Sequence, residues 1–348
     1  MTPKKVSVLV AGSWGTALAT VLADNDMDVT LWSRSRHQVE EINSLHRNSR
    51  FSQDIQLPPN IRATDSLEEA VIGADAVILV PPSSGMREIA CKLRAYMDAN
   101  TLLVHATKGF EADTVLRMSE VIAEELPGYD KDNIVVLSGP SHAEEVILKS
   151  PTAVVVAAGH TEAAEAVQDL FINSYFRVYT NPDVIGVEVG GALKNVIALG
   201  AGLSDGLGFG DNAKAALLTR GLAEIGRLGL AMGASPMTFA GLAGIGDLVV
   251  TCTSKHSRNW RAGYMLAKGV PLDEVLATMG MVVEGVRTTK AARALAHKFQ
   301  TELPIAEELY RVLFEGKSPK TAVEDLMGRG RTHEMEDIAR TSFGKRQP

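Results

Sequence analysis

The chain has 348 residues, 45% hydrophobic and 22% charged, which is enough apolar material for two domains with their own cores. Its formal net charge of −7 argues against nonspecific nucleic-acid binding, which needs a basic surface, and leaves room for a local phosphate pocket. Two cysteines, Cys91 and Cys252, form neither a disulfide framework nor zinc-ligand spacing, so no metal is expected; no secretory or membrane-spanning signal is read, so a cytoplasmic protein without membrane insertion is expected.

In chain order, short β-branched runs at 6–10, 29–32, 76–80, 102–105, 134–138 and 153–157 read as buried strands. Helical patterns at 16–22, 67–72 and 86–97 lie between them. Such alternation predicts an α/β fold: an N-terminal Rossmann-like, doubly wound and mostly parallel sheet. After about residue 185 the strand signal stops. Helix-like stretches follow at 186–202, 212–228, 235–240, 262–267, 272–278, 288–299, 305–313 and 319–327, punctuated by Gly229, Pro236, Gly269, Pro271, Pro304 and Pro319. The expected organisation is a dinucleotide-binding domain over 1–187, an all-helical substrate domain over 188–340 and a loose tail over 341–348.

The first strand runs into Val10-Ala11-Gly12-Ser13-Trp14-Gly15. A glycine-rich turn between a strand and a helix lets backbone N–H groups approach a pyrophosphate at the positive helix end. The fingerprint asks for three glycines; Val10 takes the first place, while Gly12 still allows close approach and Gly15 tight helix–strand packing. A plain strand–helix turn is the alternative. The second strand ends Trp32-Ser33-Arg34-Ser35-Arg36, with no carboxylate for a ribose 2′-hydroxyl. Arg34, with Arg36 as a second candidate, suits a 2′-phosphate, so NADP(H) is favoured over NAD(H); a solvated helix start is the other reading of these arginines.

Ligands of open α/β sheets sit at the carboxyl ends of strands. Two such ends deliver Lys108, placed for an anion, and Gly139-Pro140-Ser141-His142-Ala143-Glu144. Ser141 and Glu144 match a capping box, and His142 reads as a helix residue rather than a catalyst. Read as a helix, positions 186, 190, 194, 198 and 202 fall on one stripe and are Gly, Gly, Lys, Ala and Gly. A single ammonium, Lys194, thus projects from a bare face of a helix apolar enough to be buried. Burying a lysine alone is costly, and the usual escapes are a depressed pKa or a charged ligand; snorkelling to the surface is the bland alternative. Further on come Gly244-Ile245-Gly246-Asp247 and the polar run 251–261, in which Arg258 is capable of bidentate phosphate contact. Lys255 and His256 read as surface residues and Cys252 as a packed thiol.

These blocks together resemble the bacterial NAD(P)-dependent glycerol-3-phosphate dehydrogenase family over nearly the whole chain. The resemblance rests on the stretches at 12–19, 107–109, 138–143, 176–180, 190–195, 246–248, 257–259 and 282–285. It implies reversible reduction of dihydroxyacetone phosphate to sn-glycerol 3-phosphate with NADPH or NADH, supplying the glycerophospholipid backbone in lipid biosynthesis. It implies that Lys194 is the general acid/base. It places Ser13, Trp14, Arg34, Ser35, Lys108, Ala143, Arg258, Val282 and Glu284 on the dinucleotide, with Gly12 and Gly15 in its turn. It places Lys108, Gly139, Ser141, Lys194, Asp247, Ser257, Arg258 and Asn259 on the substrate. Val10, Asp26 and the pair Pro81-Pro82 depart from the family pattern. None touches Lys194 or the phosphate run, so activity is expected and cofactor affinity is the property at risk. Two rival readings are a dehydrogenase of another hydroxy acid or phosphorylated sugar, and a noncatalytic NADP(H)-sensing protein. A homodimer is the default expectation.

Overall fold

Continuous Val, Ile and Leu runs are strands buried on both faces, and the computed structural model, which describes residues 5–51 and 55–331, assembles them into one sheet. Its strands are β1 (Lys5–Leu9), β2 (Asp28–Trp32), β3 (Ile61–Thr64), β4 (Ala76–Leu79), β5 (Leu102–His105), β6 (Ile134–Ser138), β7 (Thr152–Ala157) and β8 (Phe176–Asn181). They lie in the order β3-β2-β1-β4-β5-β6-β7-β8, parallel throughout except between β6 and β7. Side-chain alternation splits the core in two: Val6, Val8, Ala76 and Ile78 enter one apolar cluster, and Leu9, Val77 and Leu79 the other. Helices α1 (Ser13–Asp24), α2 (Arg36–Leu45), α3 (Leu67–Val71), α4 (Met86–Leu93), α5 (Met118–Glu125), α6 (Ala143–Ile147) and α7 (Thr161–Phe171) connect the strands.

Two strands were not expected. β3 is four residues with an exposed arginine at its second place, and β8 alternates buried Phe176 and Val178 with exposed Arg177 and Tyr179 at the sheet edge. Beyond Asn181 the described residues hold no strand, as the loss of strand signal implied.

The described chain separates into two compact units. One takes the residues up to Glu111 together with Leu116–Val184; the other takes Ala112–Val115 and everything described from Ile185 onward. The second unit contains α8 (Val184–Leu207), α9 (Gly210–Ala231), α10 (Asp247–Thr253), α11 (Arg258–Ala267), α12 (Leu272–Met279), α13 (Glu284–Lys298), α14 (Pro304–Phe314) and α15 (Pro319–Met327). The stretch 235–240, expected as a helix, is a 3₁₀ turn, and Leu242–Gly246 forms a π-helical turn that leads into α10. The expected tail at 341–348 lies outside the described residues.

The bare stripe of α8 exists for backbone contact. A Cβ on Gly190 would sit 2.5 Å from the Ala243 carbonyl oxygen, and one on Gly202 only 1.9 Å from that of Trp260. Reciprocally, a Cβ on Gly263 of α11 would meet the Leu199 carbonyl at 2.0 Å. The π-helical turn and α11 therefore press directly onto α8. By length and composition α8 could cross a membrane, a property the sequence reading had denied to every segment. In the fold, however, 89% of its most apolar window is already buried.

Candidate functional site

In the first unit, the turn after β1 keeps a glycine-like backbone despite its valine: Val10 has φ +89°. A β-branched residue held there costs about 1–3 kcal/mol. The turn is tight because Val10 N–H and Ala11 N–H both donate to the Trp32 carbonyl at 3.1 Å, and Gly12 N–H donates to the Val10 carbonyl at 2.9 Å. A Cβ on Gly15 would lie 2.1 Å from that Val10 oxygen, so Gly15 is demanded by packing. A Cβ on Gly12 would meet no protein atom within 4 Å, so its bareness leaves room for a group approaching the turn. Ser13 and Trp14 open α1, whose N-cap carries no side-chain hydrogen bond and whose first turn holds no acid. The Trp14 indole N–H is buried without a partner among the described residues. A bare helix start with an orphaned donor fits an anionic dinucleotide.

Beyond β2, Arg36 is tied to Asp65 at 2.9 Å, whereas Arg34 is 72% exposed and only loosely paired with Glu88 at 3.9 Å. Lys92 bonds Glu88 at 2.6 Å and holds its carboxyl below the usual range. Of the two arginines, Arg34 is therefore the one with a guanidinium to offer. Ser35, assigned to the dinucleotide from the resemblance, accepts the Gln38 N–H as N-cap of α2. At the ends of β5 and β6, Lys108 Nζ and Ser141 Oγ both donate to the Gly139 carbonyl, at 3.0 and 2.9 Å. This corrects the capping-box reading: His142, not Ser141, is the N-cap of α6, without a side-chain cap bond. The Ser141 hydroxyl turns back to Gly139, and Ala143 begins the helix.

In the second unit, Lys194 is buried, and it does not snorkel to the surface but meets a carboxylate. Its Nζ donates to Asp247 Oδ1 at 2.5 Å and to Thr251 Oγ1 at 2.7 Å, and the Asp247 side chain is 1% exposed. Thr251 Oγ1 also donates to the Asp247 carbonyl at 2.6 Å, one helical turn back. The ammonium thus has a buried carboxylate as partner, which avoids the cost of an isolated interior charge. The next residue, Asn195, accepts from Asn259 Nδ2 at 2.8 Å, while Asn259 Oδ1 accepts the Gly285 N–H at 2.8 Å. Arg258 Nη1 donates to the Val282 carbonyl at 3.0 Å, and Glu284 opens α13. Ser257, buried, caps α11 by accepting the Trp260 N–H, so Arg258 and Asn259 occupy that helix's first turn.

The second-unit candidates are thereby linked: a Lys194–Asp247–Thr251 cluster adjoins an Asn195–Asn259–Gly285 chain through the neighbouring residues 194 and 195. The sequence reading did not single out Thr251, although its position four residues after Asp247 on a helix would have suggested a shared face. Cys252 is buried, and desolvation pushes its thiol up to about 12, so it is no nucleophile.

A doubly wound sheet with a bare glycine-rich turn, and a helical unit with a buried lysine beside polar hydrogen-bonding groups, are the parts of a nicotinamide-dependent oxidoreductase. The family model for the NAD-dependent glycerol-3-phosphate dehydrogenase N-terminus matches residues 5–164, and that for the C-terminus residues 183–324. The chain is 58% identical over 338 residues to a glycerol-3-phosphate dehydrogenase [NAD(P)+] of Bacillus licheniformis, covering 97% of this chain and 98% of the relative. The homologue from Bacillus thuringiensis is 60% identical over 334 residues, covering 96% and 98%. Among solved structures, glycerol-3-phosphate dehydrogenase from Coxiella burnetii superposes with a TM-score of 0.89 at 38% identity, covering 94% of this chain and 99% of that one. The chain belongs to the NAD-dependent glycerol-3-phosphate dehydrogenase family.

Proposed function

We propose that the chain reduces dihydroxyacetone phosphate to sn-glycerol 3-phosphate, reversibly, and so supplies the backbone of glycerophospholipids. The observation that carries this reading is the buried Lys194–Asp247–Thr251 cluster, with Asn259 bonded to the neighbouring residue Asn195. When bound, a reduced nicotinamide dinucleotide supplies the hydride to the ketone carbon. Lys194 Nζ gives a proton to the developing alkoxide; in the opposite direction its neutral form takes the hydroxyl proton. Asp247 and Thr251 fix the ammonium's direction, and Asn195 fixes Asn259. Ser257, Arg258 and Asn259 anchor the substrate phosphate at the start of α11, with Lys108, Gly139 and Ser141 as further substrate contacts. Gly12, Ser13, Trp14, Gly15, Arg34, Ser35, Lys108, Ala143, Arg258, Val282 and Glu284 hold the dinucleotide. The exposed and only loosely paired Arg34 guanidinium supports a preference for NADPH.

On this reading residues 1–187 serve the dinucleotide and 188–340 the substrate. The enzyme works in the cytoplasm, consistent with its free cysteines, and as a homodimer, the default for a soluble enzyme. The test follows loss of reduced-nicotinamide absorbance with dihydroxyacetone phosphate, using NADPH and NADH in parallel, for wild type and Lys194→Met. Turnover by the wild type alone, with dinucleotide binding retained in the variant, is the expected result. Binding without turnover in the wild type would sink the assigned substrate. Equal turnover in both proteins would sink Lys194 as the acid/base.

A further inference from the structure

The strained Val10 does not stand alone. The carbonyl of the next residue, Ala11, accepts two side-chain amides: Gln38 Nε2 at 2.6 Å and Asn48 Nδ2 at 3.2 Å. Those amides are locked to each other and to their surroundings. Gln38 Nε2 also donates to Asn48 Oδ1 at 2.8 Å, and Asn48 Nδ2 to Thr16 Oγ1 of α1 at 2.8 Å. Ser33 Oγ donates to Gln38 Oε1 at 2.5 Å, which leaves the Gln38 nitrogen for Ala11. Asn48 is fully buried and Ser33 nearly so. A buried amide network in which each oxygen and nitrogen has a defined role specifies one geometry and resists others.

That geometry is the one the turn needs. A glycine at position 10 would populate positive φ without strain, and the turn would hold its shape unaided. A valine there prefers negative φ, and reverting would rotate the peptides on either side of Ala11, moving the start of α1 with its free N–H groups. We propose that Gln38 and Asn48 are positioning residues that clamp the dinucleotide turn through the Ala11 carbonyl, in place of the conformational freedom a glycine would have provided at position 10. The proposal rests on the reading that this turn carries the dinucleotide. It predicts coupling between residues 38, 48 and 10: the clamp matters while valine is present and becomes nearly redundant once it is not.

The experiment is a double-mutant cycle on the full-length protein. Calorimetric dissociation constants for NADPH and NADH are measured for Gln38→Met and Asn48→Ala, each alone and combined with Val10→Gly. Arg34→Ala serves as a control, and circular dichroism and melting establish folding. With valine at 10, each amide variant is expected to weaken both cofactors about tenfold, the scale of one or two lost hydrogen bonds. The KM for the dinucleotide rises while kcat at saturation holds. In the Val10→Gly background the same substitutions cost about twofold or less. Equal losses in both backgrounds would reduce the network to ordinary scaffolding and overturn the proposal. So would unchanged binding in the amide variants while Arg34→Ala weakens NADPH. If folded Arg34→Ala, Gln38→Met and Asn48→Ala all bind as the wild type does, the turn is not the cofactor seat, and the underlying reading falls too. Should Asn48→Ala fail to fold, the half-buried Gln38→Met carries the cycle.

Discussion

Removing one charge of the Lys194–Asp247 pair should be far worse for stability than removing both. The two groups are 2.5 Å apart, with side-chain exposures of 8% and 1%, so little water is available to replace a lost partner. Breaking such a buried pair costs about 3–5 kcal/mol, chiefly because the survivor is left uncompensated. Asp247→Asn removes the carboxylate from the ammonium, and Lys194→Met removes the ammonium from the carboxylate; each should lower the melting temperature by about 10 °C. The double variant Lys194→Met/Asp247→Asn buries two neutral groups and should recover most of that loss. Activity should behave differently. Loss of the general acid removes about 10²–10⁴-fold in turnover, and the double variant regains none of it. Thermal melting and steady-state rates on the four proteins of the cycle decide the matter. Additive destabilisation in the double variant would refute the claim that the two charges compensate each other. Recovered turnover there would refute the assignment of Lys194 as the acid.

Two further outcomes follow from groups away from that pair. Glu88→Gln removes the only carboxylate paired with Arg34 among the described residues and should raise the preference for NADPH over NADH about two- to fivefold, read as the ratio of kcat/KM values; an unchanged ratio would separate Arg34 from the 2′-phosphate. Glu224 is buried, and desolvation pushes its carboxyl up to about 7 although it accepts the Ile305 and Ala306 N–H groups at the start of α14. Because the folded protein then binds more protons than the unfolded chain between pH 4.5 and 7, its stability should fall as pH rises through that window and level off above it. Urea midpoints across pH 5–8 should show this slope in the wild type and a flatter one in Glu224→Gln; parallel curves would rule Glu224 out as its source.

The parts legible in the sequence were those set by local pattern. Continuous apolar runs such as Ala76–Leu79 have no reading other than burial on both faces, so the sheet and its helices could be inferred. The edge strand β8 escaped because it alternates buried and exposed residues instead of forming a continuous apolar run, although Asn173-Ser174 and Asn181-Pro182 bracket it with turn residues. Ser141 and Glu144 have capping-box spacing, but the helix starts one residue later than that spacing requires. What local pattern could not carry was partnership across the chain. Asp247 stands 53 residues from Lys194, and Asn259 stands 64 from Asn195; only the crossings of α8 bring them together. The positive φ of Val10 was equally hidden, since valine is the residue least suited to announce it.

The backbone contacts at Gly190, Gly202 and Gly263 have a consequence for how the second unit opens. Where helices touch carbonyl to Cα, no side chain can swing aside to admit solvent, and the centre of α8 cannot fray independently of the helices pressed on it. Its amide protons should exchange only when the whole unit unfolds, as the last cooperative element to yield. Lys194 sits at the middle of that segment, so the proposed acid/base is mounted on the slowest-breathing part of its unit, and on that proposal adaptability in substrate handling is left to the helix starts and loops around it.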